Sequence, residues 1–160
     1  MRKRSKYRPK GVRLDTMAYI KESMTPVAVH DSYVLDLKIK NSMAMKALLR
    51  GEATNYDMDI LIAMSNITES LYTLGFGSEY GEACVGGREA LIGIAHRAVT
   101  TKRYTPTGKE IGQLNTLMEL HDAQMDVITI KDMERALEHA KKSFKNKNDV
   151  TYLPKVQEMA

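Results

Sequence analysis

The segment "TNYDMDILIAMSNITESLYTLG", at positions 54–75, decides the fold class of this 160-residue chain. Thr54 is a typical helix N-cap residue, and Gly75 is typical of the position that follows a helix C-terminus. Apolar residues between 58 and 64 fall on several sides of the intervening helix rather than on one stripe. The pattern therefore predicts a helix over 55–74 that is covered on most of its circumference and lies at the centre of the protein.

A second strong helix signal lies in the C-terminal third of the chain. Thr107 and Glu110 form the capping-box pattern T-x-x-E, and apolar positions then recur at spacings of three and four up to Ile128. The pattern predicts one helix of about 35 residues, which at 1.5 Å per residue is about 50 Å long. Because that length exceeds a compact bundle of this size, we expect the helix end to project or to pack against a second subunit. The chain is therefore expected to form a homo-oligomer.

Positions 27–50 fit two interpretations. Between 35 and 40 apolar and charged residues alternate, which is typical of a half-buried strand, whereas the pattern becomes helical beyond Asn41 and ends at Gly51. A lone strand would need a partner, and the best candidate is "VAV" at 27–29. We predict one helix from about 32 to 50 and keep a short hairpin as the alternative.

Two further helices are indicated on either side of the central one. A short helix begins at residue 15 or 16 and is closed by Pro26, and another runs from 78 to about 101. Gly86 and Gly87 lie in the middle of the latter, where each costs about 1 kcal/mol relative to Ala. The glycine pair therefore predicts either a break or a close approach of another helix.

Together these segments predict an all-α protein, a bundle of about five helices with a long C-terminal helix. The helical domain is expected over 15–146. An extended basic arm over 1–14 precedes it, and a polar tail over 147–160 follows it. Pro9 and Gly11 interrupt any helix in the arm, which is why an extended conformation is predicted there.

Composition narrows the class of protein. Hydrophobic residues make up 43% of the chain, a normal globular fraction. The single cysteine, Cys84, cannot form an internal disulfide, which fits a reducing compartment and a buried free thiol. No apolar segment resembles a secretory signal or approaches the eighteen residues of a membrane span. We expect a cytoplasmic protein without a membrane partner.

Carboxylates and histidines of the C-terminal helix are the strongest candidates for chemistry. Glu119, Asp122 and Asp126 share one helix face beside His121, and such a face could hold a divalent cation. The chain also has two His-Asp dipeptides, at 30–31 and 121–122. One family of phosphohydrolases uses a His-Asp pair as metal ligands, together with further His and Asp ligands on other helices. A solvated charged face, with His121 at the edge of the core, explains the pattern better. We predict no catalytic residue and no metal site, and a phosphohydrolase is the minor alternative.

No cofactor loop is predicted either. The glycines between 75 and 81 are spaced G-x-G-x-x-x-G and follow a helix. The dinucleotide fingerprint needs G-x-G-x-x-G between a strand and a helix. A helix end followed by a turn explains these glycines, so we expect no bound cofactor.

The N-terminal arm carries an unusual charge. Seven of its fourteen residues are Lys or Arg, and no acid occurs before Asp15, so a chain of net charge +4 leaves −3 for the remainder. An extended cationic segment suits a phosphate backbone, and Tyr7 is available to stack on a base. The alternative is an arm that docks on acidic faces of its own oligomer, including the carboxylates on the C-terminal helix. The predicted nucleic-acid-binding residues are Arg2, Lys3, Arg4, Lys6, Tyr7, Arg8, Lys10 and Arg13.

Three stretches carry a resemblance: "RKRSKYRPK" at 2–10, "DLKIKNSMAMKALLRGEATNYDMDILIAMSNITESL" at 36–71 and "LNTLMELHDAQMD" at 114–126. Over most of 2–126 the chain resembles small uncharacterised helical proteins encoded by tailed phages and prophages of proteobacteria. The resemblance implies a phage origin, a small helical domain and a location in the host bacterial cytoplasm. It implies no catalytic residue.

Two functional hypotheses follow from the charge distribution and the resemblance. The first is a phage-encoded, non-enzymatic accessory or regulatory protein that binds nucleic acid through its basic arm. The alternative is a phage inhibitor of host machinery or host defence, which binds a host protein or sequesters a nucleotide signal. In the alternative, the cations of the arm would meet an acidic partner or the phosphates of the ligand.

Overall fold

The computed structural model describes residues 16–29 and 31–145 of the chain. Within these ranges the backbone forms six α-helices and no β-strand, which confirms the all-α prediction. Two short 3-10 turns, Val27–Val29 and Ser78–Tyr80, precede the second and fourth helices. The helices are α1 (Thr16–Ser23), α2 (Asp31–Leu49), α3 (Asn55–Thr73), α4 (Gly81–Thr101), α5 (Gly108–Val127) and α6 (Ile130–Lys145).

Helix α3 is the centre of the fold, as the sequence predicts. It contacts α2, α4, α5 and α6, and its buried residues lie on several sides of the helix. Thr54 caps α3 by a reciprocal capping box, since its side chain accepts from the Asp57 amide and the Asp57 carboxylate accepts from the Thr54 amide. Met58, Leu61 and Leu71 are fully buried. The element that decides the fold class is therefore also the one that every large helix packs against.

Helix α2 resolves the ambiguity between a helix and a hairpin. It is one helix over Asp31–Leu49, and the proposed partner segment "VAV" is a 3-10 turn. Its buried residues lie on one helical face, at spacings of seven, three, one and three positions: Val34, Asn41, Ala44, Met45 and Leu48. Leu35, Leu37 and Ile39 suggested a strand. In the helix they do not share one buried face, since Leu37 is half-buried and Leu35 and Ile39 are exposed.

The long C-terminal helix predicted from position 107 is two helices in the structure. Helix α5 ends at Val127, and Ile128 adopts an extended conformation with φ −82° and ψ 156°. Thr129 then caps α6, because its hydroxyl accepts from the Asp132 amide at 3.2 Å and its own amide donates to the Asp132 carboxylate at 3.0 Å. All four residues of the stretch 127–130 (Val, Ile, Thr and Ile) are β-branched, which weakens helix continuation.

Two backbone hydrogen bonds with residues 25–27 stabilise the break between α5 and α6. The Val27 amide donates to the Ile128 carbonyl at 2.9 Å, and the Ile130 amide donates to the Thr25 carbonyl at 3.0 Å. These bonds satisfy backbone groups that a continuous helix would have satisfied internally. Helix α6 consequently packs against α3 instead of projecting. The projecting helix that motivated the expectation of a homo-oligomer is therefore absent from the described residues.

Helix α4 continues without a break through Gly86 and Gly87. The glycine pair instead marks a close approach, since a Cβ added at Gly87 would lie 2.5 Å from Leu117 Cδ2 and 2.9 Å from Leu117 Cβ. Of the two outcomes that the sequence allows at this position, the close helix approach is the one observed. Helices α4 and α5 form the most extensive helix pair of the described chain.

The capping box of α5 forms as predicted and carries an additional ion pair. The Thr107 amide donates to Glu110 Oε2 at 2.7 Å, and the Glu110 amide donates to the Thr107 hydroxyl at 3.3 Å. The same Glu110 oxygen accepts from the Arg97 guanidinium of α4. Burial alone would raise the pKa of Glu110, but the hydrogen bonds from Arg97 and Thr107 lower it below its usual value.

Glu110→Ala is expected to lower the free energy of unfolding by about 1 kcal/mol, because it removes one half of the capping box together with the partner of Arg97. Urea unfolding at neutral pH measures the change. Glu110→Gln is the matched control, since Gln also completes a capping box and loses only the charge. An Ala variant as stable as the parent chain would show that the cap contributes nothing.

Candidate functional site

The predicted nucleic-acid-binding residues, from Arg2 to Arg13, lie outside the residues that the structure describes. The polar tail predicted over 147–160 also lies outside them, as does His30 of the first His-Asp dipeptide. The structure therefore describes the helical body and none of the predicted binding residues. The first described helix, α1, begins at Thr16, two residues beyond the predicted end of the arm.

The carboxylates predicted to share a face of α5 do so, but a lysine from α2 partly neutralises them. Lys38 Nζ lies 3.4 Å from the Asp126 carboxylate. Glu119 and Asp126 are exposed, whereas Asp122 is half-buried. Burial raises the pKa of Asp122, with Asp126 acting in the same direction and Lys38 opposing it. Among residues 16–29 and 31–145, no three His, Cys, Asp or Glu side chains are arranged to hold a metal ion.

His121 lies in the core and not at its edge, which corrects the prediction. Its side chain is 0% exposed, and its Nδ1 lies 3.0 Å from the Thr68 hydroxyl of α3. That hydroxyl donates its single proton to the Met64 carbonyl at 2.8 Å. We therefore assign the Nδ1–H tautomer, in which Nδ1 donates to Thr68 and Nε2 is an acceptor. Within the described residues Nε2 has no hydrogen-bond partner.

Electrostatics keep His121 neutral. Burial lowers its pKa to about 4, and the nearby positive charge of Lys38 acts in the same direction. A buried imidazole disfavours the charged form because no water remains to solvate it. At neutral pH the side chain is a hydrogen-bonded core group with no charge, and proton exchange with solvent would require local opening of the helices around it.

A buried polar cluster surrounds His121, and sequence reasoning did not predict it. Gln124, one turn further along α5, donates from Nε2 to the Thr68 carbonyl at 3.2 Å and to the Phe76 carbonyl at 3.0 Å. Its Oε1 is buried without a hydrogen-bond partner in the described chain. The cluster joins α3 and α5 and fixes the register between them, because apolar residues alone would allow sliding.

The signal for this cluster was present in the sequence. His121 falls on the apolar register of α5, which includes Leu114 and Met125, and this spacing is a signal for a core position that the prediction of a core-edge site did not use. Its partner Thr68 lies 53 residues earlier in the chain. No local pattern connects the two.

Cys84 is buried, as expected for a free thiol of this kind. Burial and the adjacent carboxylate of Glu69 together raise its pKa to about 12, and the positive charge of Arg88 opposes them. Arg88 Nη1 lies 3.5 Å from the Glu69 carboxylate. The thiol is therefore protonated at neutral pH, and a protonated thiol is a poor nucleophile.

Comparisons with protein families, with curated proteins and with solved structures find no match to this chain. The resemblance to phage proteins therefore stays a prediction. None of the helices in the described ranges combines the length and apolar character that crossing a bilayer requires. The charge, burial and contacts of the chain itself are the basis for a functional proposal.

Proposed function

We propose that this protein is a non-enzymatic accessory or regulatory factor, encoded by a phage as its resemblance implies, that binds nucleic acid through residues 2–13. The segregation of charge carries the proposal. Seven Lys and Arg precede the first acid, whereas residues 16–145 contain 15 Lys and Arg against 17 Asp and Glu. A mildly acidic body is repelled by a polyanion, so the arm must supply nearly all of the attraction.

The spacing of the cations supports contact with a linear polyanion. Arg2, Arg4, Lys6, Arg8 and Lys10 occupy alternate positions. In an extended chain alternate side chains point to the same side, so these five cations would line one side of the arm. Their amide hydrogens and charged groups could then follow a phosphate backbone without a folded groove. The arrangement favours binding that is insensitive to base sequence and sensitive to salt.

Deleting residues 2–13 is expected to abolish binding to a short DNA duplex while helical content and melting temperature stay nearly unchanged, since a terminal segment contributes little to the core. The affinity of the full chain should fall with salt, with a log–log slope between about −3 and −6 for three to seven phosphate contacts. Fluorescence anisotropy over a series of salt concentrations measures both quantities.

The matched control replaces two cations of the body. Lys102 and Arg103 are exposed in the connection between α4 and α5, and changing both to Gln should leave the affinity unchanged. Binding that survives deletion of the arm, or that is lost in this control, would overturn the proposal. If the full chain does not bind at low salt, the inhibitor of a host protein or nucleotide signal becomes the leading hypothesis.

Tyr7 distinguishes single-stranded from duplex targets within the same series. Tyr7→Ala should weaken binding to a single-stranded oligonucleotide more than binding to a duplex, because stacking needs an unpaired base face. Equal losses on both would assign Tyr7 no stacking role. The cationic part of the proposal is tested separately by the deletion of the arm.

A further inference from the structure

Helix α2 has an exposed apolar stripe that no described residue covers. Leu35, Ile39 and Met43 are 56%, 45% and 64% exposed, and they recur every four residues on one face. The opposite face of α2 carries its buried residues, including Asn41 and Leu48. Three large apolar side chains in a row on the solvent side of a helix are typical of a contact surface.

We propose that this stripe is the interface of a homodimer, in which α2 packs antiparallel against α2 of a second copy about a two-fold axis at Ile39. The stripe suits a self-complementary contact, because its three members are spaced evenly about the central one. Ile39 then meets its own counterpart, and Leu35 meets Met43 of the partner subunit. A two-fold contact uses the same patch on both subunits and closes after two copies.

The charges beside the stripe favour the antiparallel arrangement. Asp36 and Lys40 are exposed on one flank of the stripe, and neither forms an ion pair within the described residues. In an antiparallel pair about Ile39 this flank faces the same flank of the second copy, running in the opposite direction. Asp36 then lies beside Lys40 of the partner subunit, and the symmetry makes the pair twice.

A parallel pair lacks this complementarity. In that arrangement the flank with Asp36 and Lys40 would face the other flank, whose polar residues between 32 and 46 are Lys38, Ser42 and Lys46. Lys38 is already paired with Asp126 of α5, and Lys40 would meet no acid there. Opposite charges that pair only in one orientation select that orientation. The second copy of this chain is therefore the occupant that the exposed residues fit.

The size of the contact determines how tight the dimer should be. The paired segment from Ser32 to Lys46 is about 21 Å long at 1.5 Å per residue. A single helix pair of that length falls below the roughly 800 Å² per partner of a standard interface. We expect a dissociation constant on the order of 10 μM, so the dimer should form at high concentration and separate on dilution.

Analytical ultracentrifugation of the full chain tests the interface. The parent chain should sediment as a dimer at high micromolar concentration, and Ile39→Lys should sediment as a single chain at every concentration. Val99 is also an exposed apolar residue, 64% exposed on α4, so Val99→Lys is the matched control and should remain dimeric. Circular dichroism of both variants checks that the helices are retained.

A charge exchange tests the orientation. Asp36→Lys alone and Lys40→Asp alone should each weaken the dimer about tenfold or more, since each places two like charges together across the interface. Mixing the two variants in equal amounts should restore dimers, because both ion pairs re-form with reversed polarity in one of them. The repulsion between positions 36 and 40 within each helix is unchanged by mixing, so only contacts between subunits can give the recovery.

A monomeric parent chain at high concentration would overturn the proposal, as would an Ile39→Lys variant that dimerises like the parent chain. Dimers disrupted by Ile39→Lys but not restored in the mixture would overturn the antiparallel pairing. The inference does not rest on nucleic-acid binding. Deleting the arm should leave the sedimentation of the dimer unchanged.

Discussion

Replacing Gly87 by Ala is expected to lower the free energy of unfolding by about 2 kcal/mol, although Ala is the better helix former by about 1 kcal/mol. The added methyl group would lie 2.5 Å from Leu117 Cδ2, 2.9 Å from Leu117 Cβ and 3.0 Å from Leu117 Cγ. The Cβ contact involves an atom next to the backbone, which a rotamer change cannot move away. Helices α4 and α5 would have to separate, and the buried contacts of Leu117 would loosen.

Two neighbouring glycines make the measurement specific. A Cβ at Gly86 would meet only the flexible side chain of Gln113, at 3.3 Å, and a Cβ at Gly112 would meet nothing within 4 Å. Gly86→Ala should therefore change stability by less than about 1 kcal/mol, and Gly112→Ala on α5 should raise it by up to about 1 kcal/mol. Urea unfolding of the three variants under one condition gives the comparison. A Gly87→Ala variant as stable as Gly86→Ala would mean that the two helices are not in close contact.

Local signals explain why much of the fold could be predicted. Thr54 and Thr107 begin helices at the expected positions because a capping box is complete within four residues. The C-terminus of the helix over 55–74 was predicted to within one residue because Gly75, with φ 100°, follows it. Where the sequence signal lies within a few residues of a helix end, the predicted and the observed ends agree.

The division between α5 and α6 shows the limit of local patterns. Thr129 and Asp132 form a cap pattern of the same kind as Thr54 and Asp57, but they stand inside a continuous apolar register. The sequence of this stretch alone is compatible both with a continuous helix and with a break at Thr129. The choice is made by hydrogen bonds from residues 25–27, about one hundred positions earlier in the chain, which only the folded structure brings together.

The exposed apolar residues of α2 explain why its sequence suggested a strand. Leu35 and Ile39 suggested a strand because they alternate with charged residues, and a strand would have buried both. In the structure the core uses the other face of the helix, and these two side chains remain exposed. The conflict between the two patterns is a sign that some apolar residues of α2 serve a purpose other than folding the monomer.

Acidification from pH 7 to about pH 4 is expected to remove about 3 kcal/mol of stability through His121 alone. Its pKa is about 4 in the folded chain and 6.5 in the unfolded chain, because burial disfavours the charged imidazolium. The unfolded state therefore binds more protons throughout this interval, and stability falls as pH falls from about 6.5 to about 4. Below that range both states are protonated, and the contribution levels off. Urea unfolding at pH 7 and near pH 4 measures the loss.

Replacing His121 by Gln isolates this contribution from those of the carboxylates. The variant loses stability at neutral pH, since its fit in the core is poorer, but its loss between pH 7 and pH 4 should be smaller than that of the parent chain by about 3 kcal/mol. His96→Gln, at an exposed position on α4, is the matched control and should show the same loss as the parent chain. The depressed pKa of Glu110 and the raised pKa of Asp122 act equally in all three proteins. An equal pH dependence in His121→Gln and the parent chain would show that His121 is not held neutral by burial, and that the polar cluster joining α3 and α5 opens to solvent in the native state.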